Sequence, residues 1–207
     1  MRKQTVLGLA ALVGLGFVAG RMDIFATTAA VAVQDAPPAE MDPQMQAWMD
    51  AGTPTKHHKY LNVMNGTWDA KFTMWMEPGA PPMVSIGTIK RHWALDGRYL
   101  AEEVEAQTDF GTFHGLGYLG YNNVDGQYEF IWMDSMSTAI MSETGSYNPE
   151  TKVMHTRGSM RDPASGHIIA SRGMLDMSDP DRHVYTGYMT GADGKEYKSF
   201  EGISERR

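Results

Sequence analysis

In Gly66-Thr67-Trp68-Asp69-Ala70-Lys71-Phe72-Thr73-Met74-Trp75-Met76, apolar and polar residues alternate. Trp68, Ala70, Phe72, Met74 and Met76 fall on one face, Thr67, Asp69, Lys71 and Thr73 on the other, and Trp75 alone breaks the pattern. A period of two is that of a β-strand with one apolar side. Gly66-Thr67-Trp68 opens this strand, and Arg206-Arg207 end the chain. A Gly-x-Trp entering a first strand, with an Arg leaving the last, describes one end of a closed antiparallel barrel. The indole plugs that end, and a guanidinium stacks on its outer face while donating to nearby carbonyls. Gly66, Trp68 and Arg206 are therefore expected to be structural.

Downstream of this strand, turn signals recur every ten to fifteen residues or so, the rhythm of consecutive hairpins. They are Pro78-Gly79, Asp96-Gly97, Asp109-Phe110-Gly111, Asn122 to Gly126, Asn148-Pro149, Asp162 to Gly166, Asp179-Pro180-Asp181 and Ala192-Asp193-Gly194. The segments between them make about ten strands, none with room for the crossover helix that a parallel sheet needs. A Greek-key sandwich is the alternative. A single all-β, antiparallel up-and-down barrel fits short consecutive hairpins better, and closure removes exposed edges.

Upstream, the period is helical. Asp42-Pro43 supplies a helix start, Met45, Trp48 and Met49 share a face, and Gly52 stops the segment. A second start at Thr53-Pro54 leads to Tyr60, Leu61 and Met64. One or two short helices thus precede the barrel. Before them, Arg2 and Lys3 precede an apolar run from Thr5 to Ala19, short for a membrane span and right for a secretory signal. Cleavage fits Val18-Ala19-Gly20 or Ala30-Val31-Ala32, and an uncleaved anchor attaching the protein to a membrane is the other reading. The expected organisation is residues 1–32 as signal peptide or anchor, 33–52 as flexible tether and short helix, and 53–207 as barrel domain. Localisation is expected outside the cytoplasm, periplasmic or secreted.

The 207 residues contain no cysteine, which excludes disulfides, thiolate metal sites and cysteine nucleophiles. A formal net charge of −7 with no basic stripe argues against nucleic acid as a partner. No His-x-His strand pair or His-x-x-x-His helix pair marks a metal site. The serines lack a nucleophile elbow, and Gly115, Gly117 and Gly120 fall within alternating strand residues with no helix to follow, unlike a phosphate loop. Seventeen methionines are adaptable core filler or, less economically, soft ligands for copper.

Longer motifs carry a resemblance. His58-Lys59-Tyr60-Leu61 before Gly66-Thr67-Trp68, then Leu95-Asp96-Gly97-Arg98-Tyr99-Leu100, resemble the opening of the bacterial domain-of-unknown-function family 1579. So do Phe113-His114-Gly115-Leu116-Gly117, Gly120-Tyr121-Asn122-Asn123, Trp132 to Thr138, Asp162-Pro163, Asp179 to His183, Asp193-Gly194-Lys195-Glu196 and the closing Arg206. Two positions depart from the pattern: Asn122 where Asp is usual, and Thr186 where Glu tends to stand. The family is similar to the calycins, the superfamily of lipocalins and fatty-acid-binding proteins. That implies a lipocalin-like barrel with a central cavity and carries over no catalytic residue. Some barrels similar to the calycins bind haem, for which His155 or His114 would be the ligand; no other cofactor is expected.

On a strand, Tyr128, Phe130, Trp132 and Asp134 share a face. Facing inward, Asp134 would be an orienting group or general base among aromatics. Its other reading is a strand-end carboxylate that ties down the following turn. Three functions follow. The first is a small apolar or amphipathic ligand held in the cavity by Trp68, Phe72, Met74, Trp93, Trp132, Asp134, His155 and Arg172, the last as a carboxylate partner. The second is an enzyme using Asp134 or His155 as acid or base. The third is an envelope protein with no ligand.

Overall fold

The computed structural model describes residues 41–207 apart from Ala164 and Ala192; the expected signal or anchor and most of the tether lie outside the described residues. Helix α1 (Pro43–Ala51) begins where Asp42 accepts the Gln44 amide and Pro43 fills the first turn. Its apolar residues Met45, Trp48 and Met49 are exposed, and Asn123 holds its C-terminal end by donating to the Ala51 and Thr53 carbonyls. Helix α2 (Lys56–Tyr60) has a reciprocal cap in which the Thr55 amide donates to His58 Nδ1 at 3.0 Å. Accepting that bond requires an unprotonated Nδ1. Burial, with His57 and Arg98 nearby, lowers the His58 pKa in the same sense. A 3-10 turn, Leu61–Met64, follows and buries Leu61 and Met64.

Ten strands come next: β1 (Gly66–Met74), β2 (Met83–Ala94), β3 (Tyr99–Thr108), β4 (Gly111–Asn122), β5 (Gln127–Asp134), β6 (Met141–Asn148), β7 (Val153–Arg161), β8 (Ile168–Asp179), β9 (Arg182–Thr190) and β10 (Glu196–Arg206). Each pairs antiparallel with the next, and β1 also pairs β10, so the sheet is a closed up-and-down barrel. Eight of the connections fall on the expected turn signals. The ninth, between β5 and β6, has neither Gly nor Pro. Asp134 and Ser137 build it instead, accepting the Met136 and Ala139 amides.

One end is closed by the α2 and 3-10 segment. Leu61 and Met64 pack there with Leu100, Leu119, Tyr128, Met154 and Met177. Beside this cluster Trp68 is completely buried, and its indole N–H donates to the Met64 carbonyl at 2.9 Å. The Arg206 guanidinium lies 4.2 Å from the indole centroid. It donates to the carbonyls of Val63 at 2.6 Å, Asn65 at 2.9 Å and Pro180 at 3.1 Å, and to Asp181 Oδ1 at 2.9 Å. One side chain thereby ties the 3-10 turn, the start of β1 and the β8–β9 turn together. Gly66 has φ 126°, and a Cβ there would lie 3.0 Å from Arg206 Nη1. Glycine permits both the backbone conformation and that approach.

His183 stacks near Trp68, with ring centroids 4.4 Å apart. It is buried, and neither ring nitrogen has a hydrogen-bond partner among the described residues. Burial first, then the charges of Arg91 and Arg206, lower its pKa from 6.5 to about 4.

Two measurements test this end of the barrel. Arg206→Met should lower unfolding free energy by about 3 kcal/mol, because it strands several carbonyls and uncovers the indole. Arg207→Met removes only exposed contacts to Asp69 and Thr88 and should leave the urea midpoint near wild type; equal shifts would contradict closure through Arg206. For His183, the unfolded ring takes up its proton near pH 6.5 and the folded ring only near 4. Its contribution to stability is thus complete above pH 6.5 and is lost as pH falls toward 4, by roughly 3 kcal/mol. Urea midpoints of His183→Phe should lack this component; an unchanged slope across that window would rule the ring out as its source.

Candidate functional site

The register determines which side chains enter the barrel. Trp68 pairs with Ile89, Ala70 with Gly87, Phe72 with Ser85 and Met74 with Met83, so the apolar face of β1 is the inner face. Across the barrel the inward positions include Tyr128, Phe130, Trp132 and Asp134 on β5, and Glu143, Gly145 and Tyr147 on β6. Beyond the Trp68 plug, the inward residues Phe72, Phe113, Phe130, Trp132, Tyr185 and Phe200 are only half-buried. Phe72, Phe113 and Trp132 pack against the buried Trp68, Ala70, Ile89 and Val104, and the Trp132 and Phe130 rings lie close against the neighbouring strand.

Glycine explains why. Gly87, Gly115, Gly117, Gly145, Gly158, Gly173, Gly187 and Gly202 all lie on the inner face, and aromatic rings from adjacent strands lie over several of them. A Cβ on Gly115 would collide with the Trp132 ring, and one on Gly117 would stand 2.9 Å from Phe130 Cε2. Phe113 and Phe130 each stack with Trp132, with centroids 6.4 and 6.3 Å apart. The Trp132 indole is held in this pose by donating to Asp134 Oδ2 at 2.9 Å.

Polar groups form a second set. Arg91 Nε donates to Glu102 Oε2 at 2.5 Å across β2 and β3, with both side chains largely buried. Arg91 Nη1 has no acceptor among the described residues. Glu143 accepts the Thr156 hydroxyl at 2.6 Å and the Ser171 hydroxyl at 3.4 Å. Tyr185 lies beside Thr156; burial foremost, then the Glu143 and Glu102 charges, raise its pKa and keep the phenol protonated.

Phe72 and Trp132 face the lumen, and Met74 faces it at the rim, 43% exposed. Asp134 is there too, but its carboxylate is taken up by the Trp132 indole and the Met136 amide, which is the turn-tying reading of this residue. The other expectations are corrected by placement. Trp68 is sealed within the plug and offers no surface. Trp93 belongs to the closed end, where its indole donates to Asn62 Oδ1 and it packs on the Leu61 cluster. His155 pairs in register with Ser146 and Met174 on the outer face and is exposed, because the inward positions of β7 are its neighbours Met154 and Thr156. Arg172 is also outside, bidentate to Glu196 at 2.6 Å and stacked 3.7 Å over Tyr188. His114 is exposed beside Glu105. Neither histidine considered for haem faces the lumen, and Asp134 and His155 lie on opposite faces of the wall.

Arg91, Glu102, Glu143, Thr156, Tyr185 and His183 were not singled out from the sequence. Strand phase carries the signal for several: Arg91 is in step with Ile89 and Trp93, and Glu102 with Leu100 and Val104. A charge in phase with an apolar face is a lumen charge. Among the described residues, no three His, Cys, Asp or Glu side chains gather where they could hold a metal ion.

Solved structures share this architecture. Rv2717c from M. tuberculosis superposes with a TM-score of 0.55 at 14% identity, over 75% of this chain and 99% of its own. The S-type phycobiliprotein lyase CPES from Guillardia theta superposes at 0.50 with 11% identity, over 77% of this chain and 96% of its own. At these identities the likeness is one of fold. No curated protein matches the sequence. A family model does, over residues 53–206, from the first helix-start signal of the domain to the closing arginine, and the chain belongs to that family, described as protein of unknown function (DUF1579).

Proposed function

We propose that the barrel binds a small, largely apolar molecule in its lumen, entering at the end opposite the Trp68 plug. The observation that carries this reading is the lining of glycines on the inner face. Glycines there let rings of neighbouring strands lie close to the wall, and those rings are only partly buried, which favours a lumen with room for a ligand. Glu143 with Thr156 stands on the inner face beyond the plug and would orient what enters. One barrel of this type is by description a phycobiliprotein lyase, and at 11% identity it supports the fold without supplying a substrate. The leader from Thr5 to Ala19 adds that the protein works outside the cytoplasm, as a secreted, periplasmic or anchored binding module.

Titration with N-phenyl-1-naphthylamine, an uncharged apolar fluorophore at pH 7, should give one site per chain. Ser85→Phe places a ring in the lumen opposite Phe72 and should weaken that site at least about tenfold while leaving the thermal midpoint within a few degrees. An unweakened site in a folded Ser85→Phe protein would place binding elsewhere and end this reading.

A further inference from the structure

The charge inside the lumen identifies the class of ligand, and this step rests on the binding role just proposed. Among the described residues, the inward ionisable side chains include Arg91 with Glu102 beside the plug, Glu143 beyond it and, at the rim, Asp134. Arg91 and Glu102 cancel one another at 2.5 Å. Among the described residues Glu143 has no cation partner, and its oxygens accept from the hydroxyls of Thr156 and Ser171. Nearby arginines do not reach it, because Arg157 and Arg172 are register partners on the outer face and Arg172 is committed to Glu196. Lysine is missing from the inward positions of β1 to β3, where Lys71 and Lys90 both point out.

A carboxylate within a partly dry lumen is costly unless a cation compensates it, and neutral hydroxyls soften that cost without removing it. What surrounds Glu143 is suited to one kind of cation. Its register partner on β5 is Phe130, which stacks with Trp132. Both rings lie against the Gly115–Gly117 segment and are only partly buried, and aromatic faces attract positive charge. A carboxylate beside ring faces is the chemistry that recognises an ammonium group. An anionic ligand would meet Glu143 and Asp134 unscreened, and Glu102 removes the net attraction that Arg91 would otherwise provide.

We infer that the lumen selects an organic cation, an apolar or aromatic amine whose ammonium lies against Glu143 and whose body lies on the Phe130 and Trp132 faces.

Three probes of one shape test this: 2-naphthylmethylamine, 2-naphthylmethanol and 2-naphthoate, titrated calorimetrically into the full chain at pH 7. The amine should bind at least about tenfold more tightly than the alcohol, and the carboxylate more weakly than either. Glu143→Gln should bring the amine to within about threefold of the alcohol and leave the alcohol unchanged, and Ser85→Phe should weaken both. An amine no tighter than the alcohol, a carboxylate that binds best, or a preference that survives Glu143→Gln overturns the inference while leaving lumen binding intact. Failure of all three probes to bind would remove the lumen reading itself. The wild-type ranking needs no variant, so a Glu143→Gln protein that failed to fold would leave the test standing.

Discussion

The structure depends on β1 being paired along both edges. A first strand with only β2 beside it would leave an open row of amides and carbonyls, and β10 would leave a second one. Closure joins them by register, Trp68 opposite Arg206 through Met74 opposite Phe200. The pairing is long-range, so it adds loop-closure entropy to the cost of ordering the strands. What offsets that cost at the closed end is concentrated in one place: a fully buried indole, covered by a guanidinium that also satisfies three carbonyls from two other segments. Remove that clasp and both the closure and the plug lose their shared anchor.

A sealed end has consequences for the rest of the barrel. The α2 and 3-10 segment, with Trp68 and His183, closes one end, so on the proposed binding role a ligand would meet the strands beyond it. There the two faces of each strand do different jobs. Outward positions carry ion pairs such as Arg172 with Glu196, while inward positions hold many of the rings and glycines. Ordinary core packing would interdigitate large side chains from opposite walls. Here a large side chain on one strand occupies the space its neighbour's glycine vacates, as Trp132 does over Gly115 and Phe130 over Gly117.

How much of this was legible in the sequence follows from which signals are local. The β1 alternation, the Gly and Pro turns and the helix caps are local, and they led to a barrel of about ten strands with Trp68 and Arg206 at its base. The β5–β6 turn was missed because Asp134 and Ser137 build it with side-chain acceptors rather than with glycine. Site residues were harder. His155 and Arg172 drew attention as chemically able groups, yet orientation depends on strand phase, and each lies one position away from an inward residue. Trp93 is in phase with the lumen but at the wrong height, below the plug. Height along a tilted strand is set by the stagger of the whole barrel, which no single segment encodes.

The methionines connect packing to selectivity. Met64, Met154 and Met177 fill irregular space at the closed end, as adaptable thioethers do. Others, including Met74, Met83, Met141 and Met160, point inward away from the plug. Flexible thioethers and flat ring faces accommodate many apolar shapes and reject few of them. A lumen lined this way discriminates weakly by contour, so discrimination falls to its fixed polar groups. Arg91 and Glu102 neutralise each other and set no preference of sign. On the binding role proposed above, Glu143, held by two hydroxyls and faced by Phe130, would then distinguish one apolar molecule from another by charge.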